Sequence, residues 1–292
     1  MRQSSRVIST KISAVVSDVD GTLVTDDKIL TERARAAVAD LHALGIIFTI
    51  ISSRPPRGMR MLFEPLGITT PIGSFNGGVI ATPELSVLTE HLLLPQVARR
   101  TVEILDAHKV QSWVFAGPDW LVRDCDGPYI ALEEHTVGFG PTIVADFGLA
   151  LNVAGKIVGV SSDFDLLALC EQGVRAALTN QAAVVRSQTY YLDITHPLAN
   201  KGIALSELAR LLAIPPAEIA VIGDGRNDVA MFERSGLSIA MGNASAEVRS
   251  AADFVTDSNS EEGFANAVER FILGHNCKNA GLAAARSGDR AW

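Results

Sequence analysis

Near the start of the chain an apolar run closes on two aspartates one residue apart: Ala14, Val15, Val16, Ser17, Asp18, Val19, Asp20, Gly21, Thr22. A buried strand ordinarily excludes Asp, so two carboxylates at its tip ask for a cation or a chemical task. The pattern recurs late in the chain, where Ile219, Ala220, Val221, Ile222 and Gly223 lead into Asp224, Gly225, Arg226, Asn227 and Asp228. If both strands lie in one parallel sheet, their tips meet at the edge where open α/β sheets bind ligands, and the four carboxylates there read as a Mg²⁺ site. In that setting Asp18 suits attack on phosphorus, forming an aspartyl-phosphate that divides one hard displacement into two easier ones. Asp20 suits protonation of the leaving oxygen and then activation of water. Ser52, at the end of the second expected strand, offers a phosphoryl oxygen its hydroxyl and the N–H groups that follow. Lys201, at a helix start, offers an ammonium that offsets the crowding of Asp18 and phosphate. Asp224 is a hard oxygen ligand for Mg²⁺, and Asp228 stands behind it to orient metal waters or Lys201.

Each piece has a plainer explanation when taken alone. An Asp-Gly pair marks a turn, a Ser at a helix start is a cap, and a Lys is solvated surface. Asn76-Gly77-Gly78 reads more readily as a turn than as a substrate loop, although it falls at an expected domain junction. The histidines show no metal-ligand spacing. What separates function from coincidence is the conjunction of Asp-x-Asp-Gly-Thr, a strand-end Ser, a helix-initial Lys and Gly-Asp-Gly-x-Asn-Asp, each at the end of an element.

The elements that must hold these groups follow from the hydrophobic period. Ile12 to Ser17 reads as a strand. Thr31 caps a helix with apolar residues at Ala34, Ala37, Val38, Leu41 and Leu44, and Gly45 ends it before a strand from Ile46 to Ile51. This βαβ unit requires a parallel sheet with a right-handed crossover. A helix follows Pro55 and Pro56, with a short strand near Ile72. In the last third a helix over Lys201 to Leu212 precedes the strand ending at Ile222. A helix near Val229, a strand over Leu237 to Ala240 and a closing helix over Glu262 to Leu273 complete the pattern. Between residues 84 and 190 the texture changes, with Trp113, Phe115, Trp120, Tyr129 and Phe139, short strands and two helices, which predicts an inserted α+β domain. The expected organisation is core over 1–83 and 191–274, insertion over 84–190, and a poorly ordered tail over 275–292.

With 292 residues, 48% of them hydrophobic, the chain can bury a large core, so disorder is not its main state. A net charge of −8 with no Lys/Arg stripe argues against nucleic acid as a partner. No apolar run approaches a membrane span and the polar N-terminus lacks a signal-peptide core, so a cytoplasmic location without membrane attachment is expected. Cys125, Cys170 and Cys277 are odd in number and widely spaced, which disfavours disulfides and zinc.

Over residues 12 to 273 the chain resembles the haloacid dehalogenase-like phosphohydrolases, specifically the Cof-type subgroup with a large (type IIB) cap. Asp18-Val19-Asp20-Gly21-Thr22-Leu23 matches the first motif of that family and Gly223-Asp224-Gly225-Arg226-Asn227-Asp228-Val229-Ala230-Met231 the fourth. Asn200-Lys201-Gly202 looks like the third motif, and Ala240-Met241-Gly242-Asn243-Ala244 like the subgroup's continuation. One departure is Ser52-Ser53-Arg54 where the subgroup commonly has Thr-Gly-Arg, which keeps the hydroxyl and alters the local loop. The resemblance implies a Rossmann-like doubly wound core with an inserted cap and the following roles. Asp18 is nucleophile and metal ligand, Asp20 acid/base and a metal ligand through its backbone carbonyl, Asp224 a metal ligand, and Ser52, Lys201 and Asn227 phosphate contacts. Arg54, Asn76 and Gly77 are candidate substrate contacts. The implied activity is Mg²⁺-dependent hydrolysis of a small phosphorylated metabolite, sugar phosphates foremost, by a monomer or homodimer. A phosphotransferase or sugar phosphomutase, or a catalytically silent binding protein on the same fold, are the alternatives.

Overall fold

The computed structural model describes residues 11–274. Within them the chain divides into two compact units. The first takes the chain up to Ser52, Leu62–Ile72 and everything from Lys201 onward; the second takes Ser53–Met61 and Gly73–Asn200.

The first unit is an α/β layer structure on five parallel strands: β1 (Ala14–Ser17), β2 (Ile47–Ile50), β3 (Ile219–Gly223), β4 (Leu237–Ala240) and β5 (Phe254–Val255). Their order across the sheet is β5-β4-β3-β1-β2. Every residue of β1 and β3 is buried, as strands covered on both faces by helices require. Helix α1 (Glu32–Ala43) begins at Thr31, whose hydroxyl accepts from the Ala34 N–H at 3.1 Å. It turns Ala34, Ala37, Val38 and Leu41 inward, and full burial of Leu41 alone contributes about 2 kcal/mol. Gly45, at φ 71°, then reverses the chain into β2. Helix α2 (Lys201–Leu212) feeds β3. The closing segment is a short α-helix, Gly263–Ala267, that widens into a π-type turn over Val268–Leu273 rather than one regular helix.

The second unit is built on a six-stranded sheet in the order Ala183–Gln188, Tyr191–Thr195, Ala154–Val160, Gln111–Ala116, Asp119–Val122, Thr142–Ile143. All neighbours are antiparallel except the last pair. One face packs on helices Pro95–Ala107 and Phe164–Ala177 through residues such as Val114, Ile157 and Ile194. The other face gathers Trp113, Phe115, Trp120 and Val158 with Phe75, Val79 and Ala81. That second cluster is why this unit takes in more chain than the 84–190 segment read from residue texture. The described residues hold a third helix there, Ile130–Val137, where two were expected. It starts from Tyr129 in a left-handed conformation with no side-chain cap, so it carries no helix-start signal. The expected tail lies outside the described residues.

Candidate active site

The parallel register sets Ser17 beside Ile222, and the Asp18 N–H donates to the Ile222 carbonyl at 2.9 Å. The tips of β1 and β3 therefore leave the sheet together, carrying Asp18 and Asp224 to one edge. After Asp18 the chain turns at once: the N–H groups of Leu23 and Val24 both donate to the Val19 carbonyl, at 2.9 and 3.1 Å. Gly21 sits in this turn at φ 77°, and a Cβ there would lie 2.4 Å from Asp224 Oδ2. Glycine is thus required twice over, by conformation and by the carboxylate pressed against it. Thr22 Oγ1 donates to Asp224 Oδ1 at 3.1 Å, and Asn243 Nδ2 donates to the Gly21 carbonyl at 2.9 Å.

Lys201, fully buried at the first position of α2, reaches into this edge. Its ammonium lies 2.7 Å from Asp18 Oδ1 and 2.6 Å from Asp228 Oδ1. The other Asp228 oxygen accepts from the N–H groups of Asp224 and Gly225, at 2.9 and 2.8 Å, so Asp228 fixes both the lysine and the turn bearing Asp224. Asp18, Asp224 and Asp228 each offer a carboxylate oxygen within 4.8 Å of the others. Asp20 is not one of that group: its Oδ1 pairs with Lys28 Nζ at 2.9 Å, while its charge still acts on Asp224 and pushes that carboxyl upward. Three of the four expected carboxylates, Asp18, Asp224 and Asp228, form the close group.

Three carboxylates against one ammonium leave an excess of negative charge in a buried place. Burial and the neighbouring Asp228 hold the Asp18 carboxyl well above the usual carboxylate range, with Lys201 opposing them. For the same two reasons Asp224 is pushed up to about 6. Burial would lower the Lys201 ammonium, but Asp18 and Asp228 outweigh it and the net direction is upward. The donor set fits a hard divalent cation. The oxygens are clustered and under-neutralised, and Asp228 is occupied by Lys201 and two N–H groups, so Asp18 and Asp224 are the carboxylates that could hold such an ion.

The remaining sequence candidates are placed as follows. Ser52 is buried just past β2, where the Ile51 N–H donates to the Ser17 carbonyl at 2.9 Å, level with the tip of β1. Asn227 is half-buried in the loop after β3, a loop so tight that a Cβ on Gly225 would sit 2.3 Å from its Oδ1. Arg54, Asn76 and Gly77 belong to the second unit. There Arg54 donates to the Gly58 carbonyl at 3.3 Å, and its own carbonyl accepts from the Phe75 N–H at 3.0 Å. Asn76 and Gly77 have φ of 58° and 94°.

Residues 15–268 match the haloacid dehalogenase-like hydrolase family. The chain belongs to that family. This hydrolase is 31% identical over 229 residues to the HMP-PP phosphatase of Cronobacter sakazakii, covering 78% of its own length and 83% of that protein. It is 26% identical over 280 residues to a 5-amino-6-(5-phospho-D-ribitylamino)uracil phosphatase of Bacillus subtilis, with 91% and 99% covered. Among solved structures it superimposes on a haloacid dehalogenase-like hydrolase from Bacteroides thetaiotaomicron with a TM-score of 0.83 and 28% identity, over 90% of this chain and all (100%) of that one. Sequence reasoning left Lys28 unnoticed and assigned no role to Thr22 or Asn243. Thr22 and Asn243 lie within the family motifs, whereas nothing in the local pattern marks Lys28 as the partner of Asp20.

A pH effect follows for the metal-free hydrolase. Asp224 rises from 3.8 to about 6 on folding, so the folded state holds its proton more tightly than the unfolded state and stability falls as pH rises through that window. The loss is about 2–3 kcal/mol at neutral pH. Calorimetric melting in chelator is expected to give a higher Tm at pH 5 than at pH 7, with the difference reduced in Asp224→Asn. A Tm that climbs from pH 5 to 7 equally in both proteins contradicts it.

Proposed function

We propose that this hydrolase is a Mg²⁺-dependent phosphatase of the Cof-type, IIB-cap subgroup that hydrolyses small phosphorylated metabolites, sugar phosphates foremost, through an aspartyl-phosphate on Asp18. The observation that carries the proposal is the ammonium of Lys201 held 2.7 Å from Asp18 beside Asp224 and Asp228, at the tips of two adjacent parallel strands. Asp18 attacks phosphorus and the bond from phosphorus to the ester oxygen breaks, with Asp20 giving that oxygen a proton. Lys28 must release the Asp20 carboxylate for this step. Asp20 then takes a proton from water as the water attacks the phosphorus of the acyl phosphate, which returns Asp18 and frees inorganic phosphate. Ser52, Asn227 and Lys201 hold the phosphoryl oxygens, and Lys201 opposes the burial that favours the neutral form of Asp18. Asp18, Asp224 and the Asp20 carbonyl are the groups that would hold Mg²⁺, which supplies the positive charge an anionic nucleophile needs to approach an anionic phosphoryl group.

The names of the relatives support small phosphorylated compounds as substrates, and the second unit is proposed as the cap that selects among them. A cytoplasmic location goes with this proposal; among the described residues no helix is long and apolar enough to cross a membrane. The test is phosphate release from a panel of sugar phosphates, polyol phosphates and cofactor phosphates. Turnover is expected with Mg²⁺, to vanish in excess chelator, and to be inhibited by Ca²⁺, whose looser coordination misplaces Asp18 relative to phosphorus. Full activity in chelator, with no metal found by elemental analysis, would remove the metal from the scheme.

A further inference from the structure

The chain that follows Asp18 has left the sheet, so its shape is set by contacts other than a strand ladder. A backbone bridge joins Asp20 to Val24. Beyond it the chain closes into a small arm. The Lys28 N–H donates to the Thr25 carbonyl at 2.9 Å, the Thr25 N–H to the Ile29 carbonyl at 3.0 Å and the Ile29 N–H to Thr25 Oγ1 at 3.2 Å. Lys28 stands in a left-handed conformation, φ 64°, with its ammonium on Asp20 Oδ1. A non-glycine residue is held in that conformation at a cost, and such strain persists where the surrounding structure enforces it.

The enforcing contact comes from 235 positions beyond Val24. Asn259 opens the 3₁₀ turn Asn259–Glu261 and is buried. Its Nδ2 donates to the Val24 carbonyl at 3.1 Å and to Asp26 Oδ1 at 3.0 Å. Its backbone N–H donates to Asn243 Oδ1 at 3.1 Å, and Asn243 Nδ2 in turn donates to the Gly21 carbonyl. The two asparagines therefore hold the chain directly after Asp20, at Gly21, and again at Val24, the residue bridged to Asp20. All of these groups lie in the first unit. A primary amide suits the task because one nitrogen supplies two N–H donors. A carboxylate of the same shape supplies none, and would set acceptor against acceptor at Val24 and like charge against Asp26.

We propose that Asn259 is a positioning residue for proton transfer by Asp20. By fixing Val24 and Asp26 it fixes the backbone of Asp20, and with it the line along which the Asp20 carboxyl meets the leaving oxygen. The inference rests on the reading of Asp20 as acid/base and extends it to a residue that acts only through the arm.

The test compares kcat/KM, which covers the chemistry up to release of the alcohol, for p-nitrophenyl phosphate, phenyl phosphate and the best sugar or polyol phosphate from the panel. p-Nitrophenolate leaves without a proton whereas an alkoxide needs one, so a misplaced Asp20 penalises the three esters unequally. In Asn259→Asp, kcat/KM is expected to fall about a hundred-fold for the sugar or polyol ester, less for phenyl phosphate and under about three-fold for p-nitrophenyl phosphate. Where no sugar or polyol phosphate is cleaved, phenyl against p-nitrophenyl phosphate reads the same gradient. A merely structural role lowers all three by one factor. Equal loss therefore overturns the proposal, as does no loss in a folded variant. If circular dichroism shows Asn259→Asp unfolded, Asp26→Ala decides instead: Asp26 is exposed, and the same graded loss is expected there, about ten-fold for the sugar or polyol ester. Uniform or absent loss in Asp26→Ala overturns the proposal and leaves the phosphatase reading standing. A wild type that releases phosphate from no ester overturns both.

Discussion

Asp18→Asn is expected to lose turnover by on the order of 10⁴-fold or more while folding normally. The amide keeps the shape of the carboxylate and an oxygen that can accept from Lys201, but it is a poor nucleophile and a weaker ligand for a hard cation. The structure adds a less obvious part to the expectation. Burial and Asp228 hold the Asp18 carboxyl well above its ordinary range, so its ionised form works against the folded state. A neutral amide removes that opposition, and the metal-free variant should melt no lower than the metal-free wild type. Phosphate release, circular dichroism and thermal melting in chelator together check this. A folded variant with near wild-type activity would exclude the covalent route, and a large drop in Tm would show that the Asp18 charge stabilises the site.

Lys201→Met has the opposite signature. Its ammonium is completely buried between Asp18 and Asp228, at 2.7 and 2.6 Å. Removing the positive partner leaves carboxylates in a low-dielectric place without compensation, which costs about 3–5 kcal/mol in comparable buried pairs. Activity should fall by at least about a hundred-fold as well, through loss of a charge aimed at the phosphoryl group. The double variant Lys201→Met/Asp228→Asn separates the two effects. Deleting one of the stranded charges should restore part of the stability and none of the activity, and this non-additivity is what contact between the two groups predicts. Denaturant unfolding gives the first quantity and phosphate release the second. If Lys201→Met unfolds at the wild-type denaturant concentration, the buried-pair argument fails.

The two predictions differ because two carboxylate-bearing turns and one lysine, far apart in the chain, become a single electrostatic unit. The lysine's partners lie 183 positions before it and 27 after it, by subtraction of the residue numbers 201, 18 and 228. Local reasoning saw a lysine at a helix start, which taken alone is a surface residue. Its complete burial is a consequence of β3 lying next to β1 and of α2 leading into β3.

Much of the architecture was legible because local physics is strong where elements begin and end. Thr31 carries a cap signal and accepts the Ala34 N–H; Gly45 carries a stop signal and has the positive φ that a stop needs. The strand Leu237–Ala240 and the helix Lys201–Leu212 fall where the apolar period put them. Elements without such punctuation were not visible. The helix Ile130–Val137 starts from an uncapped left-handed Tyr129, and the two-residue strand Phe254–Val255 is too short to show a period.

The family and the type of fold were therefore determined by the sequence alone, because motif spacing and hydrophobic period are properties of neighbouring residues. So was the presence of Asp18, Asp20, Lys201, Asp224 and Asp228 at element ends. Only the tertiary structure decided how those groups divide. Asp18, Asp224 and Asp228 gather with Lys201, while Asp20 turns to Lys28 through a tight turn whose direction no one-dimensional pattern encodes. The same holds in the second unit. Lys156 and Asp193 look unremarkable in the chain, and become a buried and incompletely satisfied pair only because antiparallel pairing sets their strands side by side with both side chains on one face. Charges acquire their chemistry from burial and from distant partners, and both are created when the sheets form.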